Sequence, residues 1–242
     1  MKLKIAFAAM AMMVAATATS ASAASKPSVS EIVSKDQFEQ IFPGHDPFYT
    51  YDGFVKGADA AEGFCTTGDL DTRIRDCAAF LANAKHETGS GRYVTEIARN
   101  KCPDYCDVAQ PDPCAPAKGK SYYGRGWLQI SWNYNYCAAS KFIFKDNGRK
   151  LVQDPDILEK DPAIATQASL WYWMTQNSAA ALTPHDSIVK GKGFGETIMA
   201  INGDLECRGK NPGQVNSRVR NYREILENLG GGKVKLVGKN EC

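Results

Sequence analysis

Two glutamates have the residue type and spacing for acid–base chemistry: Glu87 and Glu96, nine positions apart in the segment AKHETGSGRYVTE. A pair of carboxyl groups can hydrolyse a glycosidic bond, because one protonates the leaving oxygen while the other activates water or attacks the sugar. The proton donor needs a partly apolar environment to keep its proton near neutral pH. Glu87 follows a segment with an apolar face and is the better donor. Glu96 lies beyond a Gly/Ser turn among polar residues and is the better base.

A second stretch, residues 122–136, interleaves amide and hydroxyl side chains with aromatic rings. Carbohydrate sites need both, because directional groups bind hydroxyls and acetamides while flat rings cover sugar faces. The same alternation is also typical of a strand with one polar and one packed aromatic face, so the pattern alone leaves both interpretations open. The polar members are Gln129, Ser131, Asn133 and Asn135, and the aromatic members are Trp127, Trp132, Tyr134 and Tyr136.

Helices are predicted around these two stretches. Apolar residues recur at spacings of three and four between positions 74 and 82, which predicts a helix from Asp71 or Thr72 to about Lys85. Asp-Pro and Asn-Pro starts predict helices over 161–175 and 211–229. A capping-box pattern predicts a short helix from residue 28 to about 41. Residues 48–55 fit either a strand or the start of a helix, and Glu96 is expected on a short strand or extended segment.

The N-terminal residues and the composition predict one globular domain that is exported. Residues 1–24 have a basic start, a short apolar run and an Ala-Ser-Ala end, which predicts a secretory signal peptide followed by a single domain over 25–242. Without Lys2 and Lys4, 27 basic residues face 27 acidic ones. This balance gives no reason to expect binding to nucleic acid or to an anionic membrane surface. No segment is long and apolar enough to predict a membrane span.

Eight cysteines follow the predicted signal, and an even number in an exported chain predicts disulfides. We expect Cys106–Cys114, which would close a short Pro-rich loop, and Cys207–Cys242, which would hold the C-terminal tail. The pairing of Cys65, Cys77, Cys102 and Cys137 stays open. A metal site at Cys102, Cys106 and Cys114 lacks a second ligand pair at zinc spacing, so no metal is expected.

Longer motifs resemble the glycoside hydrolase family 19 chitinases, of the short bacterial type with a catalytic domain only. The resemblance covers essentially the whole chain after residue 24. It implies a predominantly helical, lysozyme-like α+β domain with two lobes, a small β element and disulfide-stapled loops. The segments that carry it are, in order, FYTYDGFV, AAFLANAKHETGSG, PDYCD, YYGRGWLQISWNYNY, DPAIATQASLWYWMT, TPHDSIV, GFGETIMAINGDLEC and the helix from Arg218 to Leu229.

The resemblance also implies roles for individual residues. Glu87 matches the general acid, Glu96 the general base, and Ser131 the serine that helps to position the attacking water. Trp127 stands where the family usually has proline; we expect it to fill a gap rather than to stack on a sugar. The 107–114 loop lacks the aromatic residue of many plant members. Substrate contacts are implied for Tyr123, Gln129, Tyr134, Asn135, Asn202 and Arg218.

The expected activity is endo-hydrolysis of β-1,4-linked N-acetylglucosamine polymers, chitin above all, with inversion at the anomeric carbon. Two other functions stay open: cleavage of peptidoglycan glycan strands by the same fold, and chitin binding without catalysis. We expect a monomer that needs no cofactor. The signal peptide predicts an extracellular protein, and a periplasmic location also fits.

Overall fold

The computed structural model describes residues 27–145 and 147–242, in which helices connected by long loops form the domain. A 3₁₀ turn spans Val29–Glu31. The α-helices are α1 (Lys35–Ile41), α2 (Tyr51–Asp59), α3 (Leu70–Glu87), α4 (Asn133–Ile143), α5 (Arg149–Gln153), α6 (Ile157–Lys160), α7 (Pro162–Thr175), α8 (Pro184–Val189), α9 (Phe194–Glu206) and α10 (Pro212–Gly230).

Side-chain caps explain where the three longest helices begin. Asp69 accepts the backbone N–H of Thr72 and starts α3, one turn before the apolar pattern becomes visible in the sequence. Asp161 accepts two backbone N–H groups ahead of Pro162, and Asn211 caps α10 ahead of Pro212. The predictions for α7 and α10 are therefore confirmed, and α3 extends two residues further than expected, so that Glu87 is its last residue.

The structure corrects the prediction for residues 28–41 and decides the open prediction for residues 48–55. The single helix predicted over 28–41 is wrong, because Ser34 forms its own capping box with Gln37 and starts a new helix after the 3₁₀ turn. The ambiguous segment 48–55 is helical from Tyr51 onward, because Thr50 accepts the backbone N–H of Gly53 and caps α2.

The core joins helices that are distant in sequence, with α3 packed against α10 and α2 against α7. Glycines bring α2 and α7 into very close contact. A Cβ at Gly57 would lie 2.6 Å from the backbone oxygen of Ala163, and one at Gly53 would lie 2.7 Å from the Pro162 ring. Any larger residue at these positions would push the two helices apart.

Trp127 packs between these helices and α1. Its ring lies 3.9 Å from the ring of Tyr49 and 4.8 Å from that of Phe42, and its indole N–H donates to the Thr166 hydroxyl. Only 1% of its surface is exposed. The expectation that Trp127 fills a gap is confirmed by this burial.

The β element is small. Thr95 pairs with Arg125, and Arg125 pairs with Ile130, as isolated bridges; the described residues form no longer strand. Residues 126–129 form a turn between the bridge residues Arg125 and Ile130, and α4 begins at Asn133, so the alternating strand that was one interpretation of residues 122–136 is wrong. The domain is thus the predominantly helical, lysozyme-like α+β fold that the motifs implied.

Four disulfides staple the loops, and one of the two predicted pairings is wrong. Cys207–Cys242 is confirmed. Cys106 pairs with Cys102 rather than with Cys114, because residues 101–106 fold back in tight turns that bring the two Cα atoms to 5.3 Å. The other two pairs are Cys65–Cys77 and Cys114–Cys137.

Cys114 instead lies beside α4. The carboxamide of Asn133 donates to the Cys114 carbonyl, which holds the loop against the helix that carries Cys137. This contact joins two segments that periodicity does not connect.

The predicted signal peptide, 1–24, lies outside the described residues. Among the helices that the structure does describe, none has the length and apolar character to cross a membrane.

Candidate active site

A polar cleft of about 420 Å³ collects most of the residues singled out in the sequence. One wall is the segment 128–135, the other is α9, and Glu87 lies between them. Five predicted site residues line this cleft: Glu87, Gln129, Ser131, Asn135 and Asn202. It is also lined by Trp132, one of the aromatic members of the 122–136 stretch, and by Tyr105, Tyr172 and Leu205, for which the sequence predicts no role.

Glu87 reaches the cleft because α3 ends at this residue. The hydroxyl of Thr88 donates to the Ala84 carbonyl and accepts the N–H of Gly91, which closes the helix and starts the turn. Gly89, Ser90 and Gly91 all have positive φ angles, a conformation that suits glycine and reverses the chain. The side chain of Glu87 keeps 19% of its surface exposed.

Arg218 holds the Glu87 carboxylate from behind. Its Nη2 donates to Glu87 Oε1 at 2.5 Å and to Glu206 Oε1 at 2.7 Å, while Nε donates to Glu206 Oε2 at 2.8 Å. Nη1 donates to the buried Asn83 at 3.1 Å. The guanidinium is therefore a bidentate partner of Glu206 and also binds the end of α3.

The charged residues around Arg218 shift one another's pKa values. Burial opposes the charged form of Arg218, but Glu87 and Glu206 outweigh it and raise the Arg218 pKa. Burial alone would raise the pKa of Glu206, but its hydrogen bonds and attraction to Arg218 lower it. Burial and the charge of Arg218 both lower the pKa of His86. The residues behind Glu87 thus favour an ionised Glu206 and a neutral His86.

Asn202 connects this cluster to the cleft. Its backbone departs from helical geometry inside α9, with φ at −143° and ψ at 29°. Its carboxamide lines the cleft and donates to Glu206 Oε1 at 2.7 Å. The break in α9 lets one side chain face the cleft while Glu206, one turn later, reaches Arg218.

The opposite wall is fixed by hydrogen bonds within residues 126–135. The Gln129 amide donates to the Gly126 carbonyl at 2.9 Å, and the Ser131 hydroxyl donates to the Gln129 carbonyl at 2.9 Å. The Asn135 amide donates to the Ser131 carbonyl at 2.9 Å. All three side chains are half-buried, so they are held in place and still reach the cleft.

Glu96 lies on an extended segment, as predicted, next to the bridge at Thr95. Its backbone N–H donates to the Gly124 carbonyl at 2.9 Å, and its Oε1 accepts the N–H of Asn100 at 3.2 Å. Glu96 is half-buried and is not among the residues that line the cleft with Glu87. Tyr105 lines the cleft and also contacts Glu96, and burial together with this adjacent carboxylate raises the Tyr105 pKa.

Three predicted substrate contacts are not among the residues that line the cleft. The Tyr123 hydroxyl donates to Glu159 at 2.8 Å and its ring lies 3.6 Å below the Arg125 guanidinium, so it belongs to a separate ion-pair cluster. Arg218 is 1% exposed and is occupied by carboxylates. Tyr134 stacks on Trp132, which does line the cleft, with ring centres 5.7 Å apart.

The described residues contain no group of three or more His, Cys, Asp or Glu side chains placed to bind a metal ion. All eight cysteines are in disulfides. A carboxylic acid at a polar cleft, a second carboxylate beyond one wall and amides along both sides are the equipment of a glycoside hydrolase.

Comparison with known proteins agrees with this class. The sequence model of glycoside hydrolase family 19, described as chitinase class I, matches residues 32–235. The protein therefore belongs to the glycoside hydrolase family 19 chitinases.

Two curated plant relatives and one bacterial structure illustrate the match. Chitinase 6 of Oryza sativa subsp. japonica is 42% identical over 210 residues, which are 84% of this chain and 72% of the relative. Endochitinase B of Zea mays is 44% identical over 184 residues, 76% of this chain and 59% of the relative. A bacterial family 19 chitinase is 46% identical, with a TM-score of 0.80 over 87% of this chain and all of the other.

Proposed function

We propose that the protein is an exported endochitinase that hydrolyses β-1,4-linked N-acetylglucosamine polymers with inversion of the anomeric configuration. The observation that carries this proposal is the single cleft in which Glu87, Ser131 and three amide side chains meet. Amides suit the acetamide and hydroxyl groups of the substrate, and an acid is the group that glycosidic bond cleavage requires.

In the proposed reaction Glu87 gives its proton to the glycosidic oxygen as the bond from that oxygen to C1 breaks. A water molecule attacks C1 from the opposite face, and Glu96 accepts its proton. Ser131 helps to position this water. Since acid, base and water complete the reaction, no cofactor is needed.

The separation of the two carboxylates in the chain supports inversion. Glu87 ends α3, whereas Glu96 follows a reversed turn and lies beside Tyr105, outside the lining of the cleft that holds Glu87. Inverting enzymes place their carboxyl groups about 6.5–9.5 Å apart so that water fits beside the sugar. The resemblance in sequence assigns the same two residues as acid and base.

Export rests on the predicted signal peptide over 1–24 and on the disulfides. Four disulfides are typical of an oxidising compartment, such as the extracellular space or a periplasm. The mature protein would be the single domain over 25–242, acting as a monomer.

A product time course on chitin hexasaccharide tests substrate, cleavage position and stereochemistry together. We expect internal cleavage and initial release of the α-anomer, read by proton NMR. Initial β-anomer would contradict inversion, and products released only from one end would contradict endo-action. Parallel assays with colloidal chitin and purified bacterial cell walls separate chitinase from peptidoglycan hydrolase activity. Binding of chitin without products would instead support a binding protein.

A further inference from the structure

Trp132 combines two features that folding alone does not favour. Its side chain remains 37% exposed although tryptophan is a large apolar residue, and this exposed surface lines the cleft. Its backbone has a φ of 73°, a left-handed conformation that is unfavourable for a bulky residue. Strain of this kind concentrates at functional sites, where the surrounding structure maintains it.

The surrounding structure fixes the orientation of the Trp132 ring. Tyr134 stacks on it with an interplanar angle of 21°, and Tyr105 meets it edge-on at 89° with ring centres 5.6 Å apart. The Trp132 backbone N–H donates to the Tyr122 carbonyl at 2.9 Å, and its carbonyl accepts the N–H of Asn135 at 3.0 Å. A ring already held in position loses little conformational entropy when a ligand covers it.

The other three tryptophans differ from Trp132. Trp127, Trp171 and Trp173 are 1%, 4% and 0% exposed and belong to the core. Of the four tryptophans in the protein, Trp132 alone lines the cleft. It lies between Ser131 and Asn133 in sequence, and Asn135 lies beside it in the cleft wall.

We propose that Trp132, held by Tyr105 and Tyr134, is a sugar-stacking platform that binds the apolar face of one N-acetylglucosamine ring beside the catalytic centre. This assignment rests on the proposed chitinase function and extends it to a specific binding residue. Asn135 and Ser131 border the ring and are placed to bind the polar edge of the same sugar.

The test uses Trp132 as its own reporter. In wild-type protein and in the Glu87→Gln variant, acrylamide quenching of tryptophan fluorescence is measured with and without chitin tetrasaccharide. We expect the sugar to reduce quenching, because the exposed tryptophan becomes covered. The Trp132→Phe variant should show no sugar-dependent change, since only buried tryptophans remain.

Kinetics on the hexasaccharide separate a binding role from a structural one. Trp132→Ala is expected to raise KM about tenfold with a smaller change in kcat, while Trp132→Phe recovers part of the affinity. Trp132→Gly should show the same rise in KM with an unchanged or higher melting temperature, because glycine relieves the positive φ. The matched control is Phe142→Ala, which removes a 40% exposed ring from α4, the helix that follows Trp132, away from the cleft.

Unchanged quenching and unchanged KM in an active enzyme would overturn the platform and leave the chitinase proposal intact. A lower melting temperature for Trp132→Gly with an unchanged KM would mark the ring as structural and would also overturn it. If wild-type protein neither binds nor cleaves chitin oligosaccharides, the proposed function itself fails.

Discussion

Arg218 Nη2 lies 2.5 Å from Glu87 Oε1, although the two residues are 131 positions apart in the sequence. The same nitrogen binds Glu206, so one guanidinium joins the ends of α3 and α9 from its place in α10. The cleft is therefore built around a buried charge cluster, and the proposed acid is one member of it.

The first prediction concerns Glu87 itself. Glu87→Gln keeps the side-chain volume but removes the proton donor, so kcat on chitin hexasaccharide should fall roughly 10²–10⁴-fold with binding retained. Glu224→Gln, an exposed change on α10, is the matched control and should leave kcat unchanged. Near-normal turnover in Glu87→Gln would refute the assignment of the acid.

Arg218→Met should destabilise the fold as well as the site. It leaves Glu206 and Glu87 without their shared cation, and removal of one partner from a buried ion pair costs about 3–5 kcal/mol. Urea unfolding measures the loss. The double variant Arg218→Met with Glu206→Gln should recover part of it, because one uncompensated charge is removed. Equal stability of the single variant and wild type would contradict this account.

Two glycine substitutions should have opposite effects. A Cβ at Gly195 would lie 2.3 Å from the backbone oxygen of Glu241, so Gly195→Ala should displace the C-terminal tail and destabilise the protein by about 1–3 kcal/mol. At Gly213, near the start of α10, the nearest atom is Asn211 Oδ1 at 3.7 Å. Gly213→Ala should therefore stabilise the protein by about 0.4–1 kcal/mol. Thermal unfolding of both variants side by side checks the sign.

The pH dependence of stability should reflect His185. Its Nδ1 lies 2.9 Å from Asp76 Oδ2, and although burial opposes the charge, this carboxylate raises the His185 pKa above 6.5. The stabilisation is then fully present below pH 6.5 and is lost as the pH rises through the folded pKa. The free-energy difference between wild type and His185→Gln should therefore be larger at pH 5.5 than at about pH 8.5.

His86 provides an internal comparison of opposite sign. Its pKa is lowered, so its contribution is present above 6.5 and is lost as the pH falls through the folded value. The difference between wild type and His86→Gln should shrink on acidification. A His185 variant that followed the same trend as the His86 variant would contradict the assigned linkage.

Features that depend on neighbouring residues could be predicted from the sequence, whereas features that depend on residues far apart in the chain could not. The helices α7 and α10 were predictable because a cap, a proline and an apolar period lie within a few residues of each other. The Cys106 pairing was not, because the 99–120 segment has no period and its turns depend on contacts with α4. The partner of Cys114 lies 23 positions away, on that helix.

The site shows the same division. Glu87, Gln129, Ser131 and Asn135 could be located from the motifs, and they do share one cleft. Glu206 and Tyr105 could not be assigned from their segments, GFGETIMAINGDLEC and PDYCD, because their importance depends on contacts with Arg218 and Glu96 in space. Tyr123 stands beside the motif residues in sequence, yet it binds Glu159.

The glycines of α2 have a mechanical consequence. Because Gly53 and Gly57 allow α2 and α7 to touch at backbone distance, these two helices cannot slide past one another without a clash. Residues 88–132 contain no helix and carry Glu96, Tyr105, Ser131 and Trp132. That segment is positioned by turns and hydrogen bonds, whereas α7, whose Tyr172 lines the cleft, is held in register by the glycines of α2.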